Sequence, residues 1–287
     1  MKPYWNGDDV TGRPRDQWLI DFPLNLSEAD AAAFQAPYEY LKAAQYSPER
    51  GKPTVSFVAY RTTTEGQNPS WWEPHRPRPE MRRRVKNLSR YLVTPETAEY
   101  RLFVWLSFPT IPDKNLIAIA RDDDVTFGIL QSRFHKVWSL RLGTSLEDRP
   151  RYTLTTTFAT FPFPAGLTPD TPSQSYADDP RAQRIAAVAK RLDQLRKAWL
   201  YPTELVRYEA EVAEGLPDRC IPVSADAAKI LQSRTLTNLY NEPPTWLTDC
   251  HCELDAAVGE AYGVATALSD DDLLALLLEL NGERESS

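Results

Sequence analysis

The spacing of hydrophobic positions changes along this chain, and the change predicts two kinds of structure. Between Tyr100 and Phe108 apolar residues recur at every second position, and the positions between them include Phe103 and Trp105. A period of two is typical of a β-strand, and apolar residues at both sets of positions indicate that both faces are covered. The same reasoning predicts further strands at Gln17–Phe22, Thr54–Tyr60 and Leu116–Ala120.

Helical spacing dominates after a turn-rich segment between Pro162 and Ser175. Asp179 and Pro180 have the residue types of a helix N-cap and first helical position. Apolar residues then follow at spacings of three and four, namely Ile185, Val188, Leu192, Leu195 and Trp199. The other predicted helices are Ala29–Ala44 with an interruption at Pro37, Phe127–Leu142, Ser224–Leu239, and a last helix that Ser269 caps and Gly282 ends. These patterns predict an α+β fold, with a mixed-sheet domain at 1–165 and a helical C-terminal domain at 166–287.

Charge is distributed unevenly between the two predicted domains. The chain has a formal net charge of −7, but residues 1–165 carry 22 basic and 19 acidic side chains, and residues 166–287 carry 11 and 21. The basic residues concentrate between Trp71 and Arg101, so the acidic total does not exclude nucleic acid as a partner of the first domain. The sequence has no run of 18 apolar residues, no signal peptide and three cysteines, which predicts a protein of the reducing cytoplasm.

The sequence lacks the motifs of methyl transfer and of nucleotide-driven movement. An amino-methyltransferase needs an Asp/Asn-Pro-Pro-aromatic step, and the two nearest segments, at 68–71 and 241–244, each have a wrong residue. No Gly-rich loop and no P-loop occur. We therefore expect no catalytic residue and no cofactor in this chain.

Three groups of polar residues have a bland and a chemical interpretation. Cys250 and Cys252 are separated by one residue, whereas structural zinc sites use wider spacing and four ligands, so no metal site is predicted. Asp122-Asp123-Asp124 is more typical of a helix cap than of a cation site. His135 lies on a predicted helix without a neighbouring nucleophile, and we expect it to be packed or to contact a phosphate.

Four segments of the sequence occur in the order of a known family. These are Lys2–Pro14, Arg121–Pro164, Thr235–Asn241 and Leu268–Asp272. In that order they resemble the target-recognition and C-terminal helical region of MmeI-like (type IIL/IIG) restriction–modification enzymes and of related adenine-specific DNA methyltransferases. The resemblance implies that this region reads double-stranded DNA for an adenine-N6 methylation system, of the restriction–modification or phage-exclusion type.

In that family a methyltransferase domain lies before this region, and often a nuclease before that. The resemblance therefore implies a methyltransferase domain in the same longer protein or on a separate chain, with S-adenosylmethionine bound only there. Two alternatives stay open. The chain is an inert remnant of a split methyltransferase gene, or it is a protein-interaction module that uses its acidic helical half.

Three charged residues spaced by two are the sharpest DNA-reading candidates. In an extended chain Glu147, Arg149 and Arg151 project to one face. A carboxylate accepts from the cytosine amino group, and a guanidinium binds guanine N7 and O6. An ordinary surface strand with ion pairs is the alternative. The resemblance favours base reading, because the matching positions contact bases in the family, and it adds Lys114 and Asn115.

The candidates for phosphate contact fall in two places. Arg82, Arg83 and Arg84 are consecutive within the basic stretch, and Arg133, Lys136 and Arg141 lie away from the apolar face of the helix predicted at Phe127–Leu142. Such contacts fix the position of a protein on DNA without reading its sequence. Solvated basic faces are the alternative for both groups. We expect the neighbouring Trp71 and Trp72 to be core residues rather than a wedge between bases.

Overall fold

A computed structural model of the chain describes residues 1–47, 54–64, 70–146, 149–211, 216, 218–264 and 268–285. The fold is α+β, as predicted. Its contacts define two compact units. The first comprises residues 1–4 and 16–83, and the second comprises residues 5–15 and 84–287. Within the described residues no helix combines the length and the apolar character needed to cross a bilayer.

Short strands and short helices occupy most of the N-terminal half, and the longest helices lie in the C-terminal half. The described strands are β1 (Lys2–Trp5), β2 (Gln17–Leu19), β3 (Gln45–Tyr46), β4 (Val55–Ser56), β5 (Arg90–Pro95), β6 (Val104–Ser107), β7 (Ile111–Pro112), β8 (Leu116–Ile119), β9 (Thr144–Leu146), β10 (Arg149–Arg151), β11 (Val206–Glu209) and β12 (Arg219–Pro222). The described helices are α1 (Gly7–Thr11), α2 (Glu28–Ala33), α3 (Gln35–Ala43), α4 (Phe57–Ala59), α5 (Pro79–Val85), α6 (Asp124–Gln131), α7 (Arg133–Leu142), α8 (Pro180–Leu200), α9 (Ala225–Ser233), α10 (Leu236–Asn241), α11 (Thr245–Tyr262) and α12 (Asp270–Glu285).

The first unit is held by a small aromatic core. Trp71 and Trp72 are buried there with Phe22, Ala31 and Tyr38, which confirms their expected role in the core. The two indole rings meet edge to face at a centroid distance of 5.8 Å, a favoured geometry for aromatic pairs.

Two predictions for the first unit are wrong. The helix expected at Ala29–Ala44 is divided at Phe34, whose ψ of 65° is not helical, and it continues through Pro37. The strand expected at Thr54–Tyr60 is extended only in β4, after which the Ser56 side chain caps α4 and a π-helical turn covers Tyr60–Thr64. In both places capping and packing override a local pattern.

The second unit packs its helices on a three-stranded antiparallel sheet of order β6-β5-β8. Helices α6 and α11 pack against α8, whose predicted stripe is confirmed, since Ile185 and Leu192 are fully buried. Gly128 permits the close approach of α6. A Cβ there would lie 2.7 Å from the Ile185 side chain, a clash at which something must shift.

The helix predicted at Phe127–Leu142 is two helices. Ser132 has a ψ of 162° and separates α6 from α7. Its hydroxyl donates to the Ile129 carbonyl, and the backbone N–H of Arg133 donates to Asp255 at 2.7 Å. These bonds occupy polar groups that a helix break leaves without helical partners. Asp123 caps α6, as the acidic run predicted.

In the C-terminal half the predicted helix N-caps are confirmed, but a predicted helix end is wrong. Asp179 caps α8 with Pro180 in the first turn, and Ser269 bonds Asp272 at the start of α12. Gly282 does not end α12, which runs to Glu285. The helix expected at Ser224–Leu239 is divided into α9 and α10.

One apolar core includes residues on both sides of position 165, so the contacts do not separate the chain there. The assignment of 1–165 as the DNA-reading part stays a prediction.

Candidate nucleic-acid interface

The strand that carries the arginine candidates is β10, which pairs with β9 in antiparallel register. Arg149 lies opposite Leu146, and Arg151 lies opposite Thr144. Glu147 lies outside the described residues, and of Arg149 only the backbone is described. Arg151 is exposed and the next residue, Tyr152, is fully buried, which agrees with the predicted alternation of the two faces.

Backbone hydrogen bonds join this strand to the turn before β8. The Tyr152 N–H donates to the Glu96 carbonyl at 2.7 Å, and the Glu96 N–H donates to the Asn115 carbonyl at 2.7 Å. A bridge between Thr97 and Arg151 extends the pairing. The structure therefore brings Asn115 and Arg151 together in one row through Glu96, although they are far apart in sequence. Lys114 and Asn115 are both exposed in this turn.

The guanidinium of Arg151 forms an ion pair with the carboxylate of Glu96. The Nε and Nη2 atoms of Arg151 lie 2.7 Å and 2.6 Å from Glu96 Oε1. The two side chains are 46% and 25% exposed. A pair with this much access to water is worth about 0–1 kcal/mol. Breaking this ion pair therefore costs little free energy, and a guanine edge can replace Glu96 as the partner of the Arg151 guanidinium.

Buried groups hold the strand from below. Tyr152 Oη and His135 Nε2 are 3.1 Å apart, and His135 Nδ1 bonds the Leu130 carbonyl at 3.0 Å. Desolvation by burial lowers the pKa of His135 to about 3, so the imidazole is neutral at physiological pH. His135 is thus a packed residue, one of its two expected roles, and its full burial removes it from phosphate contact.

Arg101 ties the strand to the end of β5. It donates to Thr94 Oγ1 at 3.0 Å and to the Pro150 carbonyl at 3.3 Å, and it also bonds the Pro95 carbonyl. Its guanidinium carbon lies 4.8 Å from the centre of the Tyr152 ring. Burial lowers the pKa of Arg101 to about 10, which still leaves it charged. Arg101 therefore positions the backbone of β10 and does not face solvent as a DNA contact.

Gly143 permits the close approach of α7 to β10. A Cβ at this position would lie 2.5 Å from the Ser139 carbonyl oxygen and 2.8 Å from the Arg151 carbonyl oxygen. Both are backbone atoms, which cannot move aside as the end of a flexible side chain can. Glycine is therefore required where the helix turns into β9.

The candidates on α7 differ in what they contact. Lys136 and Arg141 are exposed. Arg133 pairs with Asp270 at 2.7 Å and 2.5 Å, and the two side chains are 30% and 70% exposed, so this pair can exchange its partner as the pair of Arg151 can. Helix α7 therefore offers Lys136 and Arg141 to a ligand beside the β9–β10 pair, and Arg133 in exchange for Asp270.

The consecutive arginines of α5 also have different environments. Arg82 donates to both carboxylate oxygens of Asp21 at 2.7 Å, and Lys2 adds a third contact at 2.7 Å. Burial by itself raises the pKa of Asp21, but the hydrogen bonds from Arg82 and Lys2 outweigh it and hold that pKa below its usual value. Arg83 pairs with Glu80 one turn away, and Arg84 is exposed. Arg82 therefore stabilises the first unit.

No group of three or more potential metal ligands occurs among the residues that the structure describes. In the Cys250–Cys252 segment, Cys250 is buried, Cys252 is exposed and His251 Nε2 lies 2.8 Å from Tyr240 Oη. The two cysteines therefore lie in different environments on α11.

Comparison with known proteins finds similarity to a restriction–modification enzyme. Residues 45–165 match the family model described as the target recognition domain of MmeI. A solved structure of the type IIL restriction–modification enzyme MmeI in complex with DNA is similar to this chain with a TM-score of 0.59 and 18% identity. The match covers 100% of this chain and 31% of that enzyme.

The resemblance predicted from the sequence is confirmed by these two findings, and the structural match at 18% identity shows a shared fold. The chain spans less than a third of the length of the matched enzyme. The curated proteins include no match to this chain.

The sequence analysis missed three residues that shape the interface. Glu96 links Asn115 to Arg151, Arg101 holds Pro150, and Gly143 admits the Arg151 carbonyl. A glycine directly after a predicted helix was a usable signal for Gly143. Glu96 gave no local signal, because its partners are 19 and 55 positions away.

Proposed function

We propose that this chain reads the sequence of double-stranded DNA for an adenine-N6 methylation system. The observation that carries the proposal is the row of Asn115, Glu96 and Arg151, in which the exposed side chains of Asn115 and Arg151 lie on one hydrogen-bonded backbone. Side chains that read the major groove must be exposed, polar and held by a rigid support. The DNA bound to the matched enzyme supports the same proposal.

Base reading and phosphate contact fall to different residues. Arg151, Asn115 and Lys114 are proposed to face base edges, together with Arg149 and Glu147. Lys136 and Arg141, exposed on α7, and Arg83 and Arg84 on α5 are proposed to face phosphates. Because Arg82 binds the buried carboxylate of Asp21, we assign it to stabilising the fold, whereas Arg133, whose partner Asp270 is exposed, stays a phosphate candidate.

The methylation step itself belongs to a methyltransferase domain, in the same protein or on a separate chain. That domain would bind S-adenosylmethionine and flip the adenine out of the duplex. The proposal includes a cytoplasmic location and a role in restriction–modification or phage exclusion, since both require access to DNA in the cell.

Selection from duplexes with randomised base pairs tests the proposal. The 287-residue chain should enrich a defined sequence. Arg151→Ala should lose preference at one base pair, by about 1–3 kcal/mol, with little change at the others. Arg207→Ala is the matched control, because Arg207 is also exposed and also paired, with Glu209, on a strand outside the row.

A charge exchange sharpens the same test. Glu147→Lys combined with Arg149→Asp reverses donor and acceptor at neighbouring positions, so the preferred base pair at one target position should change. Lys136→Ala should instead weaken binding to all duplexes alike and reduce the slope of log K against log salt by about 1. Enrichment of no sequence by the unaltered chain would refute the proposal.

A further inference from the structure

A cleft in the second unit shares no lining residue with the row of DNA-reading candidates. Its walls come from the segment before and within α1, from β6 and from the end of α8, and they include Trp5, Val104, Trp105, Arg196, Lys197 and Tyr201. Three of these side chains are aromatic and two are basic. None of them belongs to the residues proposed to contact DNA.

Arg196 is the unusual residue of this cleft. It is only 3% exposed, although a charged side chain is rarely buried without a partner. Its Nη1 atom makes two long hydrogen bonds, at 3.4 Å to the Phe103 carbonyl and 3.3 Å to Gln131 Oε1. Its Nη2 atom is buried and has no hydrogen-bond partner among the residues that the structure describes.

A second buried donor lines the same cleft. The indole Nε1 of Trp105 is also without a hydrogen-bond partner within the described part of the chain. Leaving a buried donor unpaired costs about 1–3 kcal/mol, and more when the group is charged. Two such donors belong to residues that line one cleft, and an acceptor from outside the chain would pair them.

The carboxylates that line the cleft are already bound to other cations. Asp9 pairs with Arg15 at 3.0 Å, and Asp193 pairs with Lys197 at 2.7 Å. The Arg196 guanidinium instead lies 5.5 Å from the centre of the Tyr240 ring, which compensates its charge only in part. The charge balance of the cleft therefore favours an anion.

We propose that this cleft binds a small oxyanion, with Arg196 and the Trp105 indole N–H as its donors. A phosphate group or a carboxylate group supplies the required acceptor oxygens. The aromatic walls suit a phosphate attached to a planar base as well as a free ion. The site is independent of the proposed DNA reading, since none of its residues belongs to the row of Asn115, Glu96 and Arg151.

Titration of the DNA-free chain with inorganic phosphate, adenosine monophosphate and sodium acetate tests the proposal. Calorimetry and tryptophan fluorescence should both report saturable binding to one site by at least one of the three. A lower dissociation constant for the nucleotide than for phosphate identifies the nucleotide source, and equal constants identify the free ion. Choline chloride at matched ionic strength should give no saturable signal.

Two variants assign the binding to these residues. Arg196→Met should abolish it, while Arg207→Met, which removes an exposed arginine, should leave it unchanged. Because Arg196→Met risks unfolding, Trp105→Phe keeps an aromatic ring and removes the donor, and it should weaken binding about tenfold or more. If no anion saturates the unaltered chain, or if Trp105→Phe binds as tightly as the unaltered chain, the proposal is wrong.

Discussion

Arg82 on α5 and Arg151 on β10 each hold a carboxylate, and water reaches the two ion pairs to very different extents. Arg82 and Asp21 are 17% and 2% exposed, and Arg151 and Glu96 are 46% and 25% exposed. The first pair has three hydrogen bonds or ion contacts to one buried carboxylate. The second shares a single oxygen between two nitrogen atoms.

The difference in burial decides what each arginine can do. Removing one partner of a buried pair leaves an uncompensated charge, whereas an exposed pair contributes little and is easily exchanged. Arg82 is therefore bound to the fold, and Arg151 can leave Glu96 for a base. The environment of an arginine, rather than its presence in a basic stretch, separates a structural residue from a candidate reader.

The largest expected effect on stability comes from breaking the buried ion pair of Arg82 and Asp21. Arg82→Ala leaves Asp21 with Lys2 alone and should lower the free energy of unfolding of the first unit by about 3 kcal/mol, at the lower end for breaking a buried pair. Chemical denaturation followed by the fluorescence of Trp71 and Trp72 measures it. Arg83→Ala, one residue along the same helix, should change stability by less than about 0.5 kcal/mol.

The opposite outcome would overturn the comparison. If Arg82→Ala leaves unfolding unchanged but reduces the salt dependence of DNA binding, Arg82 is a phosphate contact, as the basic stretch suggested.

The next largest effect is a difference in acid sensitivity between the surroundings of β10 and the Arg82–Asp21 pair of the first unit. The pKa of His135 falls from 6.5 to about 3 on folding, so its stabilising contribution is complete above pH 6.5 and is lost as the pH falls towards 3. The slope is at most about 1.4 kcal/mol for each pH unit. The pKa of Asp21 is lowered from 3.8, so the pair in the first unit should keep its contribution down to about pH 4. Hydrogen exchange at Tyr152 and at first-unit amides should therefore diverge between pH 6.5 and 4.

Other groups of the second unit also titrate in this range. Burial lowers the pKa of His251 to about 4 and raises that of Asp255 to about 6. The shift of His251 adds to the loss of stability in acid. The shift of Asp255 opposes that loss below pH 6. His135→Gln isolates the anchor of the strand, because glutamine does not titrate. A variant with the same pH profile as the unaltered chain would show that His135 is not the acid-sensitive group.

The smallest effect tests the close contact beneath Arg151. Gly143→Ala should cost about 1–3 kcal/mol, because the new Cβ meets two backbone oxygen atoms. It should also move β10 and reduce sequence preference more than total DNA affinity. Gly282→Ala is the control, since Gly282 lies in a helix and a Cβ there would meet no atom within 4 Å among the described residues, its own helix backbone aside. It should be neutral or stabilise by up to about 1 kcal/mol. Equal effects of the two substitutions would remove the role assigned to Gly143.

Local chemistry allowed much of the fold to be predicted from the sequence. The stripe of α8, its cap at Asp179 and the cap of α12 at Ser269 follow from residues within one or two helical turns. Burial of Trp71 and Trp72 follows from the large apolar area of their side chains. The order of the four segments indicated the family likeness before any contact was known.

What the tertiary structure decided concerns residues whose partners are distant in sequence. Ser132 divides α6 from α7 beside Asp255, and Glu96 joins Asn115 to Arg151. Arg82 meets Asp21 across 61 positions. The sequence determined which side chains prefer to be buried and which backbone segments prefer a helix or a strand, because those preferences are local. It did not determine which charges pair, because an ion pair depends on the distance and the exposure that packing produces.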